Sequence, residues 1–213
     1  MVDTDFTDFG YEKVPLQEKQ QRVYHVFESV APRYNLMNDV MSLGIHRLWK
    51  RFAANVSRVR PGAHILDVAG GTGDMARLYA KQTGPAGSII ICDINRDMLV
   101  TGRDQLLDEG VCRNIRWTQG DAEDLPFAAN TFDLVSIAFG LRNVTDKQRA
   151  LISMYDKLKY GSPLVILEFS TMVLPSLRDL YDQYSSHLIP LMGKYIAHDE
   201  QSYRYLVESI RMH

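Results

Sequence analysis

From His64 to Asp74 the chain reads His-Ile-Leu-Asp-Val-Ala-Gly-Gly-Thr-Gly-Asp: a short apolar run, an acid, then a glycine cluster. A second acid, Asp93, closes the next apolar run, Ser88-Ile-Ile-Ile-Cys-Asp93. Glycines let a backbone turn sharply and approach a ligand, and an acid about 20 residues on can bind ribose hydroxyls. Together they predict a nucleotide-like cofactor held at the mouth of a parallel sheet.

The rest of the chain fits that frame. Its 213 residues suffice for one domain with a single sizeable core. A net charge of −2 gives no electrostatic footprint for nucleic acid. Cys92 and Cys112 have no metal-type spacing, so no metal site is expected, and Cys92 reads as a buried reduced thiol in a strand. The acidic start, Met1 to Asp8, lacks the features of a secretory signal, and no run reaches the length of a membrane span. The expectation is a cytoplasmic chain.

Residues 1 to about 14 are polar and expected to be loose. Val23, Val26, Phe27 and Val30 then fall on one face of a helix that Ala31-Pro32 ends. A second helix is predicted from Ile45 to Ser57, with Ile45, Leu48, Trp49, Phe52, Ala53 and Val56 on one stripe. From residue 63 strands and helices alternate. Strands are predicted at 65–69, 89–94, 115–119, 132–139 and 164–169, and helices at 75–82, 98–109 and 146–158. This pattern argues for an α/β fold, a doubly wound parallel sheet behind an N-terminal helical cap. The division expected over 1–213 is a cap at 15–58, a cofactor-binding core at 63–170 and a helical substrate-side segment at 171–213.

Two cofactor readings compete at Gly70, Gly71, Thr72 and Gly73. The loose G-x-G-x-x-A pattern suits a dinucleotide whose pyrophosphate meets a helix N-terminus. Asp67 and Asp74, however, flank the loop and would repel a diphosphate. They suit S-adenosylmethionine, whose amino-acid end carries an ammonium and a sulfonium. Asp93 would take the ribose hydroxyls, Asp121 the adenine amino group, and Ala122 the face of the ring.

Tyr34-Asn-Leu-Met-Asn-Asp-Val-Met-Ser-Leu-Gly-Ile-His-Arg-Leu-Trp49 closely resembles the N-terminal signature of the ubiquinone/menaquinone biosynthesis C-methyltransferases. So do Leu66–Asp74, Phe139-Gly-Leu-Arg-Asn-Val-Thr-Asp146 and Ser202–His213, in the same order along the chain. The resemblance, from about residue 10 to 213, implies a class I, Rossmann-like methyltransferase that uses S-adenosylmethionine. The implied substrate is a polyprenylated quinol, demethylmenaquinol or 2-methoxy-6-polyprenyl-1,4-benzoquinol, methylated on a ring carbon. Thr72, Asp93, Asp121 and Ala122 carry over as cofactor residues. Ala138 stands where relatives often have Ser, which removes one hydroxyl contact, and Lys157–Pro163 replaces a Lys-Pro-Gly-Gly turn. Relatives continue through a further helix and two strands, so the resemblance also implies a sheet incomplete at its C-terminal edge. A truncated, cofactor-binding but inactive scaffold subunit is therefore the alternative.

Methylation at carbon needs a phenolate. For a phenol pKa of about 10, ionisation at pH 7 costs roughly 4 kcal/mol. Arg142 is assigned phenolate stabilisation, through a bound water that takes the proton, since guanidinium stays protonated. Asn143 would hold a quinol oxygen. Tyr34, placed between the two cap helices, would hydrogen-bond that oxygen or close over the sulfonium. The bland alternatives are a surface ion pair with Asp146 for Arg142 and a core aromatic for Tyr34. His46 is a second-rank base beside a structural role, and Met37, Met41 and Met192 read as filler. The stretch 177–196 would line a polyprenyl groove or be ordinary core. A lipid-tailed substrate would bring the chain to the inner face of a membrane, and peripheral membrane contact and a homo-oligomer stay open.

Overall fold

The computed structural model describes residues 6–31, 34–42, 44–111, 113–169 and 200–212. They fall into two compact units, one within residues 1–46 and 169–213, the other spanning 47–168. The expected stretch 177–196, Cys112 and Met192 lie outside the described residues, as do the side chains of Met37 and Met41.

The first unit corrects the expectation of a loose N-terminus. Phe6–Phe9 (β1) and Glu12–Pro15 (β2) pair as an antiparallel hairpin. Gly10 turns it with φ +60°. The hairpin is held because Val14 is buried and the Phe9 ring stacks on Tyr205 at 4.1 Å. Helix α1 follows at Leu16–Val30, α2 at Tyr34–Ser42, and Glu200–Arg211 forms the last described helix, here α7. Val23, Val26 and Val30 of α1 pack on Tyr203, Tyr205, Leu206, Val207 and Ile210 of α7. Tyr34, expected between two cap helices, begins a further helix, α2, with its ring 6.1 Å from Phe27.

The second unit carries the sheet. Helix α3, Ile45–Val56, enters it, followed by β3 (His64–Val68), α4 (Asp74–Thr83), β4 (Ser88–Asp93), α5 (Arg96–Asp108) and β5 (Ile115–Gln119). Then come β6 (Leu134–Ala138), a 3₁₀ turn at Leu141–Asn143, α6 (Lys147–Lys157) and β7 (Leu164–Leu167). All pairings are parallel, in the order β5-β4-β3-β6-β7. The doubly wound parallel sheet is therefore observed. β7 closes one edge of it, with Ile166 exposed there.

Alternate residues of each strand face opposite sides, and the central strands bury apolar residues on both. Ile65, Ile89 and Ile91 pack with Met75, Ala76 and Tyr79 of α4, Leu99 and Leu106 of α5, and Ala53 and Ala54 of α3. Leu66, Val68 and Ile137 pack on the other side with Ala150 and Met154 of α6. Each fully buried isoleucine contributes about 1.5–3 kcal/mol.

One prediction fails in orientation for all its residues but Ala53. Of the α3 stripe, Ile45, Leu48, Trp49, Phe52 and Val56 are exposed, Phe52 by 67%, whereas Ala53 is buried together with His46, Lys50 and Ala54. The two small alanines let this face close on the sheet, and polar contacts hold the rest of it. Lys50 Nζ reaches Asp74 at 2.7 Å, and His46 Nδ1 meets Ser42 Oγ at 2.7 Å.

Candidate functional site

The strand order reverses between β3 and β6, since β3 runs on to β4 on one side while β6 lies on the other. Ligands of open α/β sheets bind outside the carboxyl ends of the strands at such a switch point. Gly70, Gly71, Thr72 and Gly73 leave β3 there.

The loop closes tightly. Gly71 and Gly73 have φ of +51° and +83°, in the left-handed region that glycine enters without penalty. The Gly71 N–H donates to Asp93 Oδ2 at 2.9 Å, and the Asn95 N–H donates to Oδ1 at 2.8 Å. Asp93, at the end of β4, thus pins the loop with one oxygen and starts the turn into α5 with the other. Thr72 is buried under α5, where a methyl on Gly102 would stand 2.6 Å from the Thr72 Cα. The helix can lie against the loop only because position 102 has no side chain. Nothing in the sequence pattern singled it out.

Asp67 is the most unusual group. Its register partner across β3 and β6 is Ser136, whose Oγ donates to Oδ1 at 2.8 Å. The residue is 1% exposed, and among the described residues its Oδ2 has no hydrogen-bond partner. A methyl on Gly70 would come within 2.9 Å of that oxygen. A buried carboxylate oxygen left unsatisfied beside a glycine loop costs free energy. Burial pushes the Asp67 carboxyl up to about 7, against the Ser136 hydrogen bond and the charge of Lys50, with Asp74 and Asp93 pushing the same way. Burial also raises Asp93 to about 6, although the N–H groups of Asn95, Gly71 and Ile94 oppose it. Asp74 differs: burial favours its neutral form, yet Lys50 and Arg77 outweigh that and hold it below the ordinary range.

Along the same edge, Asp121 follows β5 and accepts from the Glu123 N–H at 2.9 Å, with the half-buried Ala122 beside it. Ala138 ends β6. Phe139 follows at φ +58°, as Ala69 follows β3 at φ +50°. Non-glycine residues in that region carry strain that the surrounding fold must hold. A methyl on Gly140 would meet the Ala69 Cβ at 2.5 Å, so the β3 and β6 loops touch.

Arg142 is not a surface group. It is 7% exposed, and its Nη1 donates to Glu168 Oε1 at 2.7 Å and to the Phe139 carbonyl at 2.6 Å. The Arg142 backbone N–H donates to Glu168 Oε2 at 3.1 Å. Asp146 instead caps α6, accepting from the Arg149 N–H at 2.9 Å. Glu168 escaped the sequence reading; its cue was an acid closing the apolar run Leu164–Leu167, as Asp93 closes β4. Asn143 sits half-buried in the 3₁₀ turn and donates its N–H to Gly140 at 3.0 Å.

The structure thus brings Asp67, Gly70, Gly71, Thr72, Gly73, Asp93, Asp121, Ala122, Ala138, Arg142 and Asn143 to one edge of the second unit. Tyr34 belongs to the first unit, on the Phe27 side of its core. His46 is buried against Ser42, which also accepts its backbone N–H, the structural role of the two considered. Among the described residues no group of His, Cys, Asp and Glu suits a metal ion, and no helix is long and apolar enough to cross a membrane.

Residues 16–213 match the model of the ubiE/COQ5 methyltransferase family. A ubiquinone/menaquinone biosynthesis C-methyltransferase, UbiE, of Legionella pneumophila is 55% identical over 207 residues, covering 97% of this chain and 83% of that protein. The protein of the same name from Hahella chejuensis is 54% identical, covering 100% and 86%. Among solved structures, a SAM-dependent methyltransferase from Aquifex aeolicus superposes with a TM-score of 0.57 at 17% identity, over 66% of this chain and 75% of that one. That likeness concerns the fold.

Proposed function

The chain belongs to the ubiE/COQ5 methyltransferase family, and from that premise we propose how its residues divide the work of a methyl transfer to carbon. The enzyme is an S-adenosylmethionine-dependent C-methyltransferase of ubiquinone/menaquinone biosynthesis. Its substrate in this reading is a polyprenylated quinol, demethylmenaquinol or 2-methoxy-6-polyprenyl-1,4-benzoquinol. S-adenosylmethionine supplies a methyl group on a cationic sulfur; all else falls to the chain.

The residues at the switch point fit that cofactor. Asp67 offers a buried oxygen to an ammonium, and a pyrophosphate would meet Asp67 and Asp93 as like charges. That unsatisfied Oδ2 beside the glycine loop is the observation that carries the reading. Gly70, Gly71, Thr72 and Gly73 shape the floor, Asp93 takes ribose hydroxyls, Asp121 and Ala122 hold the adenine, and Ala138 lines the β6 side.

On the substrate side, the quinol must give up a phenolic proton for its ring carbon to attack. Arg142, its guanidinium held by Glu168 and the Phe139 carbonyl, stabilises the resulting phenolate, and Asn143 orients a quinol oxygen. Glu168 fixes the guanidinium from behind, and in this reading a bound water takes the phenolic proton. For Tyr34, a hydrogen bond to the quinol oxygen or a ring closing over the sulfonium is carried by its motif alone. Peripheral contact with a membrane surface follows from the substrate's tail.

Incubation of the folded chain with S-adenosylmethionine labelled on its methyl group and a short-tailed demethyl quinol is expected to label a ring carbon. Cofactor binding without any label on carbon favours the inactive scaffold instead.

A further inference from the structure

We propose that Lys50 completes a subsite for an amino-acid zwitterion, its ammonium taking the α-carboxylate of the cofactor while Asp67 takes the α-ammonium. The inference deepens the cofactor reading above and rests on it.

The lysine's position is costly. Placing an ammonium inside a protein removes its hydration, and the cost is recovered only through charged partners. Lys50 is 6% exposed, on a helix that leaves Leu48, Trp49 and Phe52 outside. Ala53 and Ala54 on the same side of α3 pack into the sheet's core, and what Lys50 meets beside them offsets the cost of burying it.

What it meets is the glycine loop. Nζ donates to Asp74 Oδ2 at 2.7 Å and lies 5.7 Å from the centroid of the Phe139 ring. An ammonium has three N–H donors, and among the described residues Asp74 accepts from one. Arg77 Nη1 reaches the other oxygen of Asp74 at 2.9 Å, but Arg77 is shared with Glu109, which accepts from its Nε at 2.6 Å and its Nη2 at 2.8 Å. Lys50 therefore balances the charge of Asp74 with one N–H and has donors beyond that one contact. Lys50 also acts on Asp67, whose ionised form its charge favours.

Two groups of opposite charge with capacity left over thus flank one loop: the Asp67 Oδ2 and the Lys50 ammonium. An α-amino acid presents an ammonium and a carboxylate on the same carbon, which matches that pair. The N-terminus of α4 is a poorer site for the carboxylate, because Asp74 already occupies its first turn.

The test compares ligands that differ only at the amino-acid end. By calorimetry, S-adenosylhomocysteine is measured against its decarboxylated analogue and against methylthioadenosine, on the intact chain. A charge-assisted contact of 1.5–3 kcal/mol corresponds to about 10- to 100-fold in affinity. The wild type is expected to prefer S-adenosylhomocysteine over the decarboxylated analogue by at least about tenfold. Lys50→Met is expected to weaken S-adenosylhomocysteine well beyond the decarboxylated analogue, which loses only what the lysine's charge contributes to ionising Asp67, and so to remove most of that preference; Lys50→Arg should restore part of it. Equal losses for both ligands in Lys50→Met, or no wild-type preference for the carboxylate, overturn the proposal. The wild-type comparison decides the matter even if the methionine variant does not fold. A wild type that fails to prefer S-adenosylhomocysteine over methylthioadenosine overturns the cofactor reading too, a result distinct from losing the carboxylate preference alone.

Discussion

The two halves of the sheet's carboxyl edge treat charge in opposite ways. On the β3–β4 half, Asp67 and Asp93 are carboxylates whose ionisation the fold opposes, and Asp67 keeps an oxygen unsatisfied. On the β6–β7 half, Arg142 and Glu168 pair at 2.7 Å, with the Arg142 backbone N–H also donating to Glu168 and the guanidinium to the Phe139 carbonyl. Among the described residues the first half leaves a carboxylate oxygen open, and the second sets a cation against an anion. Such a division suits an enzyme that must attract a charged cofactor on one side and hold a developing anion still on the other.

The largest effect expected from breaking this contrast is at Asp67. Asp67→Asn keeps an acceptor for Ser136 but removes the charge, and should weaken S-adenosylhomocysteine binding by roughly 100-fold, measured by calorimetry. The same change should stabilise the free protein. Because folding raises this carboxyl from 3.8 to about 7, the folded chain keeps a proton that the unfolded chain releases. Stability from this group is therefore greatest at low pH and declines as pH rises toward 7, by up to roughly 4 kcal/mol. Denaturant unfolding should show the variant ahead by about 2 kcal/mol or more at pH 8 and level with the wild type near pH 4. Wild-type affinity should in turn climb between pH 5.5 and 7.5, and a flat profile would count against a cation at this site.

At the opposite half, Glu168→Gln should lower kcat by about 10- to 100-fold and move the pH dependence of kcat, with affinity for S-adenosylhomocysteine within about twofold. Should affinity fall and kcat hold, the two halves do not divide binding from chemistry. The smallest effect is sought at Gly102, whose bare Cα lets α5 lie on Thr72. Gly102→Ala should displace the loop and weaken cofactor affinity a few-fold, with a loss of about 1–3 kcal/mol in unfolding free energy.

The same contrast marks what could be read from the sequence. Asp67, the glycines and Asp93 belong to a local pattern, because a strand, a turn and a crossover of standard length fix their separation. Arg142 and Glu168 lie 26 residues apart on different elements, and only the adjacency of β6 and β7 brings them together. A local reading offered Asp146, four residues from Arg142, and that acid caps α6 instead. The orientation of α3 was hidden for a related reason. Periodicity turned its larger apolar side chains inward, whereas Ala53 and Ala54 pack on the sheet and Lys50 meets a carboxylate 24 residues away, Asp74. The hairpin at Phe6–Pro15 depends on Tyr205, far along the chain, so its polar sequence gave no sign of order. Helix α2, absent from the predicted elements, begins at Tyr34, and its short length offers few turns of periodicity.

The twin hydrogen bonds of Asp93 carry a warning for mutational dissection. Truncating that side chain would release both the Gly71 and the Asn95 amides, so the loop would slacken before any sugar were presented to it. An alanine scan would credit the whole deficit to lost recognition of the nucleoside. Only a graded series, in which asparagine preserves one acceptor and glutamate shifts both, can separate scaffolding from contact at that corner.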